Sequence, residues 1–206
     1  MGHYVDTYCK GAEGIAEVLT AATEKVKLGG ITIGEWHNKP HGRAVIYDLI
    51  ETGFVKRLFV ELHDFLPITK ELRNGSLGKP PEEWAQEGKF IFEMGINFCD
   101  SQFNNPLPML PLIRTAVSKS VKVYFYDIPH EKPASPPGMQ ARNEAMAKVF
   151  LKHTVVDGEK NKSVGAVALV GGEHLKTPPD DKIYTLALQT ACKIPHDHVF
   201  NLLHYK

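Results

Sequence analysis

The sequence carries few cysteines, no excess of either charge and no long apolar run, and each absence removes a class of protein. Its three cysteines, Cys9, Cys99 and Cys192, are odd in number and far apart, which argues against a disulfide framework and for reduced, structural thiols. The 24 lysines and arginines are matched by 24 aspartates and glutamates. With no basic block either, electrostatics gives no reason to expect a nucleic-acid partner or an anionic membrane. No stretch of about 18 apolar residues occurs, so no membrane span is expected. The opening Met1-Gly2-His3-Tyr4-Val5-Asp6 lacks the basic and apolar regions of a signal peptide. A soluble chain is the expectation. At 206 residues it suits a single domain, residues 1–206, able to bury roughly 70% of the surface its unfolded form exposes.

What is present is a short phrase written twice. Gly34-Glu35-Trp36-His37 follows Gly30-Ile31-Thr32-Ile33, and Gly171-Gly172-Glu173-His174 follows Ala166-Val167-Ala168-Leu169-Val170. Both phrases read G-x-x-H, both contain a carboxylate, and both end an apolar, strand-like run. A buried parallel strand delivers polar side chains in this way to the carboxyl edge of a sheet, where open α/β folds place their ligands.

The remaining pattern fits that frame. Residues 12–27 carry Ile15, Val18, Leu19, Ala22 and Val26 at helical spacing, stopped by Gly29-Gly30. Residues 43–51 repeat Val45, Ile46, Leu49 and Ile50 and lead to a strand over 57–62, which reads as a βαβ unit with that strand as the parallel partner of the first. Residues 70–81 read as a polar loop, with a helix beginning at Pro81. Residues 107–118 read as a helix and 121–127 as a strand ending on Asp127. The proline-rich stretch 129–137 is a rim or lid candidate. Residues 139–153 read as a helix, 163–170 as a strand, 182–189 as another, and 198–204 as a last one. The fold class is therefore α/β, with a mainly parallel central sheet flanked by helices and the site at the strand carboxyl ends.

In this arrangement His37, Glu61, Asp127 and His174 all fall at or just beyond strand ends. A carboxylate and two imidazoles can hold and deprotonate a water, or His37, Glu61 and His174 can together ligate a divalent metal. Arg142 and Asn143 lie on or beside the apolar stripe Met139, Met146, Val149 and Phe150, and a guanidinium on such a face requires an anion. Glu35 and Glu173 either face the pocket or bond locally. His63 shares the Glu61 face by strand alternation, His41 reads as a cap-region or surface residue, and His196-Asp197-His198 as a solvated turn.

In order and spacing, Gly34-x-x-His37, Phe59-Val60-Glu61, Arg142-Asn143-x-x-Met146 and Gly171-x-x-His174 resemble the superfamily that joins erythromycin esterases, ChaN-like haem-binding lipoproteins, Tiki/TraB proteins and a domain of the mitogenic Pasteurella toxin. The resemblance spans residues 30 to 175. It implies that His37 and His174 are paired site histidines, Glu61 the site carboxylate and Arg142 the basic helix residue. The chain lacks the helical insertions of the antibiotic esterases and looks more like compact bacterial effectors of this fold, which are injected into host cells by type III secretion.

Two classes of function follow. One is a hydrolase of esters, amides or related bonds in a small-molecule or protein substrate. It would use His37 or His174 as base, Glu61 to orient it, Arg142 to bind an oxyanion, Asn143, His63 and Asp127 toward substrate, and no cofactor. The other is a non-enzymatic effector that a host receptor perceives, with cell death as the outcome. The 10 histidines keep a haem- or metal-binding reading in view.

Overall fold

The computed structural model describes residues 2–63, 104–127, 136–154, 163–175 and 188–205. The expected features at 70–81, Trp84, Cys99, 129–135 and 182–187 lie outside the described residues.

Two helices open the chain, α1 (His3–Tyr8) and α2 (Ile15–Leu28). Then follow β1 (Ile31–Glu35), α3 (His41–Glu51), β2 (Arg57–His63), α4 (Met109–Ser118) and β3 (Lys122–Asp127). The last part comprises α5 (Pro136–Thr154), β4 (Ala166–Gly171), a short α6 (Leu188–Ala191) and β5 (Val199–Asn201). The sheet has five strands in the order β3-β2-β4-β1-β5, and every pairing is parallel. Every residue of β1 and β4 is buried, as the unbroken apolar runs require of strands covered on both faces.

Strand alternation sorts these residues onto two cores. Ile31, Ile33, Leu58, Val60, Val167 and Leu169 pack with α2, α3 and α4 on one face. Phe59, Tyr126, Ala166, Ala168 and Val170 pack with Met146 and Phe150 of α5 on the other. Phe59 is fully buried and its ring centroid lies 4.8 Å from that of Phe150, so truncating it to alanine costs about 3–5 kcal/mol.

The sequence reading is corrected in four places. β2 does not pair with β1, because β4 lies between them. Every residue of both β1 and β4 is buried, and interior positions bury both faces of both strands. Leu188 and Gln189 are helical, where a strand is expected. The last strand is confined to Val199–Asn201, and Leu202–His204 closes into a 3-10 turn. Finally, α1 has no counterpart in the sequence reading. Its two turns carry a single buried residue, Val5, and its end is fixed from elsewhere: the buried Asp48 on α3 accepts the Tyr4 and Val5 N–H groups at 3.0 and 2.8 Å.

Candidate functional site

The pairing of β1 with β4 brings the two phrases side by side. In register, Gly34 lies opposite Val170 and Glu35 opposite Gly171. Both histidines therefore leave the same edge of the sheet at neighbouring strand ends, and β2 brings Glu61 up from the other side of β4. Gly171 is small for a reason: a Cβ there would lie 2.9 Å from His37 Nε2 and 3.3 Å from Glu61 Oε2. The two groups approach each other over a glycine.

Glu61 is the hub. Its Oε1 accepts from Arg142 Nη2 at 2.5 Å and faces His174 Nε2 at 3.1 Å. Its Oε2 accepts the Gly171 backbone N–H at 2.5 Å, with His37 Nε2 at 3.9 Å. Burial alone would push this carboxyl up. The hydrogen bond and charge of His174, with the charges of His37 and Arg142, outweigh burial and hold it well below the ordinary carboxylate range. So acidic a group is a poor proton acceptor near neutral pH, and Glu61 acts as a fixed negative charge.

Arg142 reaches this hub from α5. Its Nε and Nη2 donate to Asp127 Oδ1 and Oδ2 at 3.0 and 2.7 Å, a two-pronged pair, while Nη2 also serves Glu61. Burial disfavours its charge, but the hydrogen bond to Asp127 and the nearby carboxylates more than compensate and raise its pKa. The anion demanded by a guanidinium on an apolar stripe is thus supplied by the protein. Asp127 itself is buried and turned to Arg142.

His37 is held differently. Its Nδ1 lies 3.1 Å from Glu35 Oε1, and Glu35 is almost wholly buried beside Arg43, whose Nη2 donates to it at 3.3 Å. Arg43 in turn donates through Nη1 to the Leu107 carbonyl at 2.8 Å. The loop carrying His37 is clamped by Asn105, whose Nδ2 donates to the His37 and Lys39 carbonyls at 2.8 Å each. Burial lowers the His37 pKa, yet the Glu35 hydrogen bond and the Glu61 charge outweigh it, and the net shift is upward. The imidazole remains about one-third exposed. His174, by contrast, is 3% exposed, with Nδ1 at 2.5 Å from Asn143 Oδ1.

The structure therefore brings together His37, Glu35, Glu61, Arg142, Asp127, His174 and Asn143. Glu173 is exposed on the 3-10 turn after β4. The backbone of His63 pairs with Asp127 across a register shift, and its side chain lies outside the described residues. His41, expected as a cap-region or surface residue, is buried at the start of α3. His196–His198 is a 3-10 turn as its sequence suggests, but His198 is buried with Nδ1 3.0 Å from the Gly30 carbonyl. Arg43 and Asn105 are the residues that sequence reasoning missed. Arg43 falls at i, i+3 and i+7 with Ile46 and Ile50, the same charge-on-an-apolar-face signal that singles out Arg142. Cys9 and Cys192 are buried, and burial pushes their thiols up to about 11 and about 12, far from reactive thiolates.

Among the described residues no group of three His, Cys, Asp or Glu side chains is arranged to hold a metal ion. At the expected ligand set, Glu61 already accepts from a guanidinium and a backbone N–H. Among the described residues, too, no helix is long and apolar enough to cross a membrane.

No protein-family model matches the chain, and no curated protein matches it either. The fold is similar to a solved structure described as bacterial protein toxins, with a TM-score of 0.55 at 17% sequence identity. The match covers 93% of this chain and 37% of that one, so this chain spans little more than a third of the length of the toxin structure. The α/β architecture is thus shared with part of a bacterial toxin.

Proposed function

We propose that this chain is a hydrolase of the erythromycin esterase/ChaN-like kind, serving as the catalytic unit of a bacterial toxin or effector. The observation that carries the reading is the Glu35–His37 pair. A buried carboxylate sits on Nδ1 and directs proton exchange to Nε2, on a partly exposed ring. The effector half is supported by the fold likeness to a bacterial toxin and by the sequence resemblance, which itself includes a toxin domain. Delivery by type III secretion and a cell-death outcome belong to that half.

The chemistry follows from the geometry. A water bonded to His37 Nε2 loses its proton to the imidazole as its oxygen attacks the carbonyl of an ester or amide. The imidazolium so formed is stabilised by Glu35 at 3.1 Å and by Glu61 at 3.9 Å. Arg142 has Nε and Nη2 committed to carboxylates, and Nη1 is the arm that would meet an oxyanion. The imidazolium then returns its proton to the leaving oxygen or nitrogen.

The test is a turnover screen on generic esters, phosphoesters and peptides, with His37→Ala run beside the wild type and a strong chelator in a parallel arm. Turnover that is lost in His37→Ala and survives chelation supports the reading. Loss on chelation, restored by zinc, manganese or cobalt, would make His37, Glu61 and His174 metal ligands instead. A His37→Ala protein that keeps the biological effect of the wild type would favour an effector perceived by a receptor.

A further inference from the structure

The two imidazoles share Glu61 but differ in how closely it approaches. His37 has the Glu35 carboxylate at Nδ1, while Glu61 Oε2 stands 3.9 Å from Nε2, beyond hydrogen-bonding distance. His174 has an acceptor at each nitrogen: Asn143 Oδ1 at 2.5 Å from Nδ1 and Glu61 Oε1 at 3.1 Å from Nε2. An amide oxygen and an ionised carboxylate only accept, so each ring nitrogen must supply the proton of its own hydrogen bond. A ring with two N–H groups is an imidazolium and has no lone pair left to act as a base.

We infer that Asn143 is a positioning residue which, with Glu61, keeps both N–H groups of His174 donating, so that His174 is a fixed cation and His37 alone of the pair exchanges protons. Charge balance supports this assignment. The carboxylates of Glu61 and Asp127 are met by Arg142 and His174, and that of Glu35 by Arg43. These groups are buried or nearly so, where an uncompensated charge costs several kcal/mol. Within this described set the carboxylates and cations match once His174 is counted as charged, which leaves His37 as the imidazole of the pair that exchanges a proton. The role given to His37 rests on the hydrolytic reading; the protonation of His174 does not.

The experiment is a long-range proton–nitrogen correlation spectrum of the full chain labelled with nitrogen-15 histidine. The His174 signals are identified by their loss in His174→Gln. Two protonated ring nitrogens are expected for His174 at neutral pH. Asn143→Asp, which keeps an acceptor, retains both, and Asn143→Leu, of similar size without one, loses the Nδ1 proton. A wild-type His174 with a bare Nδ1 would mean that the Asn143 amide donates and would overturn the inference. So would a folded Asn143→Leu protein with an unchanged ring. The wild-type spectrum decides even if Asn143→Leu does not fold. It needs no substrate, so a failed turnover screen would not affect its outcome.

Discussion

Replacing Arg142 with methionine removes the cation that joins two strand-end carboxylates while keeping the length and apolar stem of the side chain. The side chains of Arg142, Glu61 and Asp127 are 10%, 9% and 3% exposed, so water cannot take over the lost contacts. Breaking a buried pair by removing one partner costs about 3–5 kcal/mol, against a total stability of about 5–15 kcal/mol. The variant should fold, with a melting temperature lower by roughly 6–20 °C at about 2–4 °C per kcal/mol for a chain of this size. The deficit should depend on pH. Glu61 has a depressed folded pKa in the wild type, so its stabilisation is fully present above its unfolded value and is lost as pH falls through the folded one. In the variant one of the charges holding that value down is gone, and there is less to lose. The gap between the two proteins is therefore full at about pH 7 and narrows as pH drops below about 4.5. Urea unfolding across that range reads it. Arg142→Lys should recover only part, because an ammonium cannot serve both carboxylates as a planar fork does. A methionine variant as stable as the wild type, or a gap that does not change with pH, would refute the hub.

Further outcomes are expected at neighbouring positions. Gly171→Ala should lower turnover by about 10–100-fold, because its Cβ would lie 2.9 Å from His37 Nε2. The imidazole tip can swing aside, but the same Cβ would lie 3.3 Å from the buried Glu61 Oε2, so thermal unfolding should also move down. Glu35→Gln should bring the His37 pKa down, read by NMR titration, since it removes the negative charge that raises it and leaves only a neutral acceptor at Nδ1. It should also destabilise the fold by about 3–5 kcal/mol by taking from Arg43 its buried carboxylate. Asp48→Ala should cost about 1 kcal/mol and speed hydrogen exchange at the Tyr4 and Val5 amides, which Asp48 accepts; unchanged exchange there would show that α1 holds itself.

How much of this was legible depends on which forces are local. β1 and β4 are readable because a strand covered on both faces is dominated by apolar residues, and α3 and α5 are readable from their spacing. The convergence of His37, Glu61, Arg142 and His174 follows from placing each at a strand end or on a covering helix. The adjacency of Glu35 to Gly171 was not legible, because strand order is set by competition for the buried interior and leaves no local mark. Asp127 and Asn143 were recognised as polar groups near the site, but their direction was not. Both turn inward to serve Arg142 and His174, and only the three-dimensional neighbourhood shows which buried side chain each satisfies. α1 was illegible for a similar reason, since its cap comes from residue 48, more than forty positions away.

The central claim is that the proton leaves the attacking water for His37. It is tested most directly by the pH profile of turnover on whichever substrate the screen yields, overlaid on the NMR titration of the His37 ring. Because Glu35 and Glu61 raise the His37 pKa above its ordinary 6.5, the imidazolium persists to higher pH than in a free histidine and cannot accept a proton there. By the same sign, the stability that His37 contributes is present below its unfolded value and fades as pH rises through the folded one. The account predicts a rate that rises with pH, with a midpoint above 6.5 that coincides with the titration of the ring. A rate indifferent to pH through that midpoint, in a protein whose His37 visibly titrates, would contradict it.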